Sequence, residues 1–172
     1  MPTLTSDVPT ETTNNAPSIT IRAARIGDDL SAFRTLNEEW ITHFFKMEPS
    51  DHKTLDHPED AILRKGGSIY FVEADGIPVG CVALIPMENG IYELSKMAVS
   101  PTMRGLGIGR RLLEYTVEQA RKQGIKGLFL GSSTKLKNAV HLYEAIGFQH
   151  IPAEKRPPSA YSRADVFMEM QL

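Results

Sequence analysis

The sequence predicts an α+β fold of mixed α/β type, a single domain with a central mixed, mostly antiparallel sheet flanked by helices. The apolar fraction is 41% in a chain of 172 residues, which suits one compact domain with its own core. Two-residue turn signals join three strand-like segments in the middle of the chain. Helix-like and strand-like segments then alternate in the second half. The domain is predicted over residues 18–172.

The first predicted elements are a tail, a strand and a helix. Residues 1–17 are rich in Thr, Pro, Asn and Ser and are expected to form a disordered tail. Residues 19–23 alternate apolar and polar side chains, as a half-buried strand does. Gly27 then interrupts the pattern, and Asp28 is the predicted N-cap of a helix. Apolar residues recur at helical spacing over residues 30–44.

The middle of the chain is predicted to form an antiparallel meander. Residues 46–57 are polar and are expected to be irregular, whereas Pro58 suits the first turn of a short helix that runs to about Lys65. Both dipeptides between the following strands accept the positive φ angles of tight hairpin turns. The strands are predicted at residues 68–74, 77–85 and 91–99, with the turns at Asp75-Gly76 and Asn89-Gly90.

The second half of the chain is predicted to add two helix–strand units and a last strand. Gly124 and Gly147 are expected to end the two helices, because glycine adopts the left-handed conformation of a helix C-cap. A Pro-rich insert, residues 152–162, separates the last two strands. The helices are predicted at about 107–123 and 135–146, and the strands at 127–130, from Phe148, and at 164–170.

Composition and charge exclude several classes of function. The formal net charge is −2, whereas nucleic-acid binders carry a basic excess. Cys81 is the single cysteine, so no internal disulfide can form, and it is expected to be a core residue in a protein of the reducing cytoplasm. No apolar run is long enough for a membrane span, and no signal peptide is visible. Irregularly spaced histidines predict no metal site. We expect a soluble, cytoplasmic protein with no nucleic-acid and no membrane partner.

The most informative segment is a glycine-rich loop between a predicted strand and a predicted helix. Gly105, Gly107 and Gly109 occupy alternate positions, and without Cβ atoms the backbone N–H groups can approach a ligand closely. The first N–H groups of the following helix have no internal partners, and the helix dipole adds positive charge there. The loop is therefore predicted to bind a phosphate or pyrophosphate.

Two common phosphate-binding loops fit this segment poorly. A P-loop ends in Gly-Lys-Ser/Thr, but here Gly109 is followed by Arg110 and Arg111. A dinucleotide-binding loop has Gly-x-Gly-x-x-Gly within a parallel βαβ unit. The spacing here is Gly-x-Gly-x-Gly and it follows an antiparallel meander, which disfavours that reading.

The segment Arg104-Gly105-Leu106-Gly107-Ile108-Gly109 instead resembles the Arg-x-x-Gly-x-Gly acetyl-CoA signature of the GNAT acetyltransferase superfamily. Residues 138–148 resemble the second signature of that family, a helix that carries Leu-Tyr and ends in Gly-Phe. The resemblance covers roughly residues 19–170, with both signatures in the family's order. A glycine-rich turn followed by an ordinary core helix is the structural alternative.

The resemblance implies acetyl-CoA as cosubstrate and no metal. The pyrophosphate would lie on the loop backbone, and the pantetheine arm would run beside the preceding strand as an added strand does. Asn138 is a further cofactor candidate, although many members carry the asparagine farther upstream, where this chain has Leu136. The implied cofactor-binding residues are Met97, Ala98, Val99, Arg104, Gly105, Gly107, Gly109, Arg110 and Asn138.

Two residues are implied as catalytic. Glu93 lies six positions before Val99, where some members carry a glutamate that acts on the acceptor amine as general base. A solvated glutamate on an edge strand is the alternative. Tyr143 occupies the place of a tyrosine whose hydroxyl reaches the CoA sulfur and serves as general acid. A buried core tyrosine with a polar partner for its hydroxyl is the alternative.

The implied reaction transfers an acetyl group from acetyl-CoA to a primary amine of a small molecule or peptide, by direct attack in a ternary complex. A non-catalytic acyl-CoA sensor or regulatory module on the same fold is the competing interpretation. The acceptor is unassigned, because specificity in this fold lies in segments without a common motif. Arg163 is a candidate for binding a substrate carboxylate, with a surface salt bridge as the alternative. Trp40 is expected in the core, and a homodimer is left open.

Overall fold

The computed structural model describes residues 16–172, so all but the last two residues of the predicted tail, 1–17, lie outside the described part of the chain. Its strands are β1 (Ile19–Ala23), β2 (Ser68–Ala74), β3 (Ile77–Pro86), β4 (Ile91–Val99), β5 (Gly127–Ser132), β6 (Gln149–His150) and β7 (Val166–Gln171). Its helices are α1 (Ser31–Phe44), α2 (Pro49–Leu55), α3 (Pro58–Ala61), α4 (Ile108–Lys122) and α5 (Lys137–Ile146).

The seven strands form one sheet in the order β1-β2-β3-β4-β5-β7-β6. Every neighbouring pair is antiparallel except β4 with β5, which is parallel. The predicted α+β fold with a mixed, mostly antiparallel sheet is therefore confirmed. Within the described residues, no helix is long and apolar enough to cross a membrane.

Two apolar clusters cover the two faces of the sheet. On one face α4 and α5 pack on strand residues such as Tyr70 and Val72. On the other face α1, α2 and the chain after α3 pack on Ile69 and Phe71. Because β2 is covered on both sides, its residues are apolar at consecutive positions and do not alternate with polar ones.

The start of the chain differs from the sequence prediction at α1. Asp28 is not the N-cap, because α1 begins at Ser31 and Leu30 occupies the cap position. The Asp28 carboxylate instead accepts a hydrogen bond from the Arg25 backbone N–H at 2.9 Å, within the turn after β1. The side chain that binds the start of α1 is Asp29, whose carboxylate accepts from the Ser31 N–H at 2.9 Å.

Residues 46–57 were expected to be irregular, and this prediction was wrong because α2 lies within them. The Asp51 carboxylate binds back to the Glu48 backbone N–H at 2.9 Å, which ties the first turn together. Leu55 is the only apolar side chain that α2 buries. A helix this short with one apolar contact shows no hydrophobic periodicity in the sequence.

Strand β4 contains a bulge. Cys81 pairs with Ala98 and Ala83 pairs with Ser95, so β4 has one more residue than β3 between these two pairs. Lys96 lies in the bulge with φ of 57°, a left-handed conformation that is rare outside glycine. The bulge reverses the alternation of side chains, because Leu94 packs on the α4 face while Ala98, an even number of residues later, packs on the α1 face.

Strands β4 and β5 separate after a short contact. They pair only at Ile91–Gly127, Tyr92–Leu128 and Glu93–Phe129, although β4 continues to Val99 and β5 to Ser132. The backbone of β4 beyond Glu93 therefore has no strand beside it on that edge. This separation opens the sheet at the end where the glycine-rich loop begins.

Candidate active site

A cleft of about 920 Å³ lies at the separation of β4 and β5. It is bounded by the glycine-rich loop, the first turns of α4 and α5, the end of α1, α2, and the segment before β7. Every site residue predicted from the sequence lines it, namely Glu93, Met97, Ala98, Val99, Arg104, Gly105, Gly107, Gly109, Arg110, Asn138 and Tyr143.

The glycine-rich loop presents its backbone to the cleft. Gly105 and Gly107 have φ of 81° and 71°, a conformation that side chains with a Cβ rarely adopt. Gly107 is the N-cap of α4. Within the described chain, the backbone N–H groups of residues 105–110 donate no backbone hydrogen bond. The loop and the helix start thus form a set of free donors suited to an anion.

Gly109 contributes through close packing. A Cβ at this position would lie 3.6 Å from both Met97 Cε and Leu142 Cδ2, so the start of α4 sits close to β4 and α5. The two arginines of the loop are exposed, and Arg110 Nε lies 2.8 Å from Glu114 of its own helix. Their side chains extend along the surface while the loop backbone lines the cleft.

Glu93 lies on an interior strand, which corrects the edge-strand alternative. Its side chain is half-buried at the cleft wall, and no described residue donates a hydrogen bond to its carboxylate. Burial raises the pKa of Glu93 above its usual range, and the positive charge of Lys96 offsets part of that increase. A carboxylate with a raised pKa is better suited to accept a proton from an ammonium group.

Tyr143 is 8% exposed, and its ring packs edge-to-face on Phe148 with the ring centroids 5.8 Å apart. Burial raises the pKa of the phenol to about 12, so the hydroxyl stays protonated at neutral pH. The expected polar partner is absent, since in the described chain the Tyr143 hydroxyl forms no hydrogen bond. The ring is buried but the hydroxyl oxygen is not, so this group at the edge of the cleft is available to donate to a ligand.

The remaining predicted cofactor residues lie on two walls. Met97 and Val99 are half-buried against the α4 face of the sheet, and Ala98 is buried on the opposite face. Asn138 is exposed in the first turn of α5, directly on the cleft. Leu136, at the N-cap position of α5, also lines the cleft.

A buried ionic cluster at the other end of the cleft was missed by the sequence analysis. Asp51 is fully buried, and its carboxylate binds Lys96 Nζ at 2.5 Å and both terminal nitrogens of Arg163 at 2.8 and 2.7 Å. Burial alone would raise the pKa of Asp51, but the hydrogen bonds from Arg163 and Lys96 outweigh it and lower the pKa to about 2. The surface location considered for the Arg163 salt bridge is wrong, because Asp51 is fully buried and the Arg163 side chain is only 10% exposed.

Aromatic side chains surround the cluster. The Arg163 guanidinium lies 4.5 Å from the ring centroid of Tyr161, 5.7 Å from that of Trp40 and 5.8 Å from that of Phe45. Trp40 packs against the apolar cluster on the α1 face of the sheet, as predicted, and it also lines the cleft. This end of the cleft therefore combines an apolar wall with a cationic group whose charge is already paired.

Two further predictions concern the single cysteine and the histidines. Cys81 is fully buried in the apolar cluster on the α1 face of the sheet, as expected, and burial raises the pKa of its thiol far above the usual range. Among the residues that the structure describes, no three His, Cys, Asp or Glu side chains are grouped so that they could hold a metal ion.

Comparison with known proteins identifies relatives. The family model described as "Acetyltransferase (GNAT) family" matches residues 32–148. An uncharacterised N-acetyltransferase of Escherichia coli K12, YjgM, is 37% identical over 100 residues, which are 56% of this chain and 60% of that protein. An uncharacterised N-acetyltransferase of Schizosaccharomyces pombe, C1271.07c, is 30% identical over 141 residues, which are 77% of this chain and 83% of that protein.

Solved structures share the fold. An acetyltransferase of the GNAT family from Staphylococcus aureus Mu50 superposes with a TM-score of 0.79 at 24% identity, over 90% of this chain and 99% of that one. A Bacillus subtilis acetyltransferase in complex with CoA superposes with a TM-score of 0.67 at 17% identity, over 90% and 99% of the two chains. On the match of the family model and the S. pombe relative, this chain belongs to the acetyltransferase (GNAT) family.

Proposed function

We propose that this protein transfers the acetyl group of acetyl-CoA to a primary amine of a small molecule or peptide, by direct attack in a ternary complex. The observation that carries the proposal is that one cleft contains both a backbone anion site, residues 105–110, and a pair of proton-handling side chains, Glu93 and Tyr143. Membership of an acetyltransferase family supports the class of reaction.

Acetyl-CoA fits the cleft by its chemistry. Its pyrophosphate would accept hydrogen bonds from the free N–H groups of the loop and the α4 N-terminus. Its pantetheine amides would pair with the open edge of β4 at Met97, Ala98 and Val99, where β5 has diverged. Asn138 lines the same cleft from the first turn of α5. The B. subtilis structure of the same fold contains CoA, which supports this choice of donor.

The chain's own residues supply the proton transfers. An amine arrives as ammonium, and Glu93 takes a proton so that the nitrogen lone pair can attack the thioester carbonyl carbon. The carbon–nitrogen bond forms, the carbon–sulfur bond breaks, and Tyr143 donates a proton to the departing sulfur. The nitrogen loses its remaining excess proton to solvent, and solvent returns a proton to the Tyr143 oxygen. A backbone N–H at the end of β4 would stabilise the negative charge that develops on the carbonyl oxygen.

Thiol release from acetyl-CoA tests this proposal directly. The protein is incubated with acetyl-CoA and a panel of amino acids, polyamines, arylamines and short peptides, and free CoA is measured with a thiol reagent. We expect release that depends on one class of amine and falls in both Glu93→Gln and Tyr143→Phe. Binding of CoA by calorimetry, with no amine-dependent release across the panel, would instead support a non-catalytic acyl-CoA sensor.

A further inference from the structure

Lys96 is a buried lysine within the cleft. Its side chain is 3% exposed, although lysine is almost never buried without a partner. The ammonium group donates to Asp51 at 2.5 Å and to the Tyr161 hydroxyl at 3.0 Å. These two contacts come from α2 and from the segment before β7, so they hold the ammonium group in one place.

Asp51 is bound by two cations. Arg163 binds both oxygens of the Asp51 carboxylate and also reaches Glu48 Oε2 at 3.2 Å, and Lys96 is the second cation on Asp51. The charges of Arg163 and Lys96 thus balance those of Glu48 and Asp51, which keeps the buried ammonium group charged. The same positive charge also acts on a second carboxylate.

That second carboxylate is Glu93. In a regular strand, residues three apart point to opposite faces of the sheet. The bulge at Lys96 reverses this relation. Leu94 packs on the α4 face, so its neighbour Glu93 points to the α1 face. Lys96 points to that same face, because its ammonium group reaches Asp51 of α2. Glu93 and Lys96 consequently line the same cleft. The left-handed backbone at Lys96 is the cost of this arrangement.

We propose that Lys96 is a positioning residue that acts through Glu93: its ammonium group, anchored by Asp51 and Tyr161, keeps the half-buried Glu93 carboxylate ionised so that it can accept a proton from the amine. This role rests on the transfer reaction proposed above. Burial of Glu93 works in the opposite direction, and Lys96 is the group whose charge opposes it.

The titratable groups around this pair come from several elements. They are Glu48 at the N-cap of α2, Asp51 and Lys53 of α2, Tyr161 and Arg163 of the segment before β7, Cys81 of β3, whose sulfur lies 3.7 Å from the Lys96 carbonyl oxygen, and Tyr143 of α5. Four further cations line the same cleft at the glycine-rich loop and around the start of α5, namely Arg104, Arg110, Lys135 and Lys137. Asp51 and Arg163 bind each other, and Tyr143 and Cys81 stay protonated at neutral pH. Lys96 is thus the cation that opposes the effect of burial on Glu93.

The test measures the pKa of Glu93 without requiring activity. Carbon-13 NMR of side-chain-labelled glutamate follows its carboxyl resonance through a pH titration, with Glu93→Gln assigning the signal. In Lys96→Met we expect the pKa of Glu93 to rise by about one pH unit. Met at this site is no more strained than Lys, since both are unbranched. Lys96→Arg, which keeps the charge, should retain the parent value. Lys53→Met, an exposed lysine on the same cleft, is the matched control and should change it far less.

A double-mutant cycle covers the case in which Lys96→Met does not fold. Asp51→Asn alone should lower the pKa of Glu93, because it removes a negative neighbour, and adding Lys96→Met should raise it again. A Glu93 pKa that is the same with and without Lys96, in either background, would overturn the proposal. Because this readout is independent of catalysis, it separates failure of the Lys96 role from failure of the acetyl-transfer proposal.

Discussion

Arg163 donates two hydrogen bonds to the carboxylate of Asp51, at 2.8 and 2.7 Å, although the residues are 112 positions apart. The pair joins the Pro-rich segment before β7 to the first turn of α2. It closes one end of the cleft that carries the predicted site residues. Its removal should therefore affect both the stability of the fold and the shape of this end of the cleft.

Arg163→Met should destabilise the protein strongly, because it leaves a buried carboxylate with one cation fewer. Loss of one partner of a buried pair costs about 3 to 5 kcal/mol, and we expect the lower end because Lys96 remains beside Asp51. Urea unfolding measures the change. Arg34→Met, which breaks an exposed pair with Asp56, is the control and should cost about 1 kcal/mol or less. Equal losses of unfolding free energy in the two variants would contradict a stabilising role for the buried Asp51 carboxylate and its Arg163 partner.

Acid should weaken the fold through Asp51. The pKa of Asp51 is lowered to about 2 in the folded protein, whereas it is about 3.9 in an unfolded chain. The contribution of Asp51 to folding stability is therefore complete above the unfolded pKa, and it is lost as the pH falls from about 4 to about 2. Thermal melts at several pH values test this. Asp51→Asn should be less stable than the parent at pH 7, and the two should converge near pH 2. A constant difference across that range would argue against the ion pair.

Gly107→Ala should weaken CoA binding by blocking close approach of the pyrophosphate to the loop backbone. The control is Gly124→Ala, because Gly124 at the other end of α4 has φ of 75°, close to the 71° of Gly107, and both sites have open space for a Cβ. The left-handed backbone should cost each variant about 1 to 2 kcal/mol of stability. Calorimetry should show a loss of CoA affinity in Gly107→Ala alone. Similar CoA affinities in both variants would mean that the loop is not part of the CoA-binding site.

Glu93→Gln should lower turnover at neutral pH while CoA affinity stays nearly unchanged, since Glu93 is proposed to act on the acceptor amine. The deficit should shrink towards pH 9.5, where free amine is already abundant. Steady-state thiol release with the best amine of the panel measures it across that range. A deficit of constant size from pH 7 to pH 9.5 would point to a structural role for the carboxylate.

Tyr143→Phe should slow thiol release by about 10²- to 10⁴-fold, the range for loss of a positioned general acid. The melting temperature should change little, because the hydroxyl forms no hydrogen bond within the described chain. Tyr70→Phe gives the opposite pattern as a control. Its hydroxyl accepts a half-buried hydrogen bond from Gln123 at 3.0 Å, so that variant should lose about 1 kcal/mol of stability and keep its rate. A modest rate loss in Tyr143→Phe would mean that the hydroxyl orients the cofactor and is not an obligatory acid.

Sequence patterns alone were sufficient to predict the fold class, the meander at residues 68–99 and the glycine-rich loop. These features depend on local chemistry that is visible in one segment at a time. The turns Asp75-Gly76 and Asn89-Gly90 have positive φ angles, and Gly107 and Gly147 bound their helices as expected. Hydrophobic periodicity did not predict α2, because that helix buries a single apolar side chain.

The ionic environment of the candidate site depends on how distant segments pack together. Asp51, Lys96 and Arg163 lie on a helix, a bulged strand and a segment before β7, and no sequence spacing relates them. The bulge that brings Glu93 and Lys96 to one face depends on the register between β3 and β4, which local propensity does not encode. Ionisation follows burial and neighbouring charge, and both are properties of the packed molecule. For this reason the identity of the candidate proton-handling residues was readable from the sequence, whereas their pKa shifts were not.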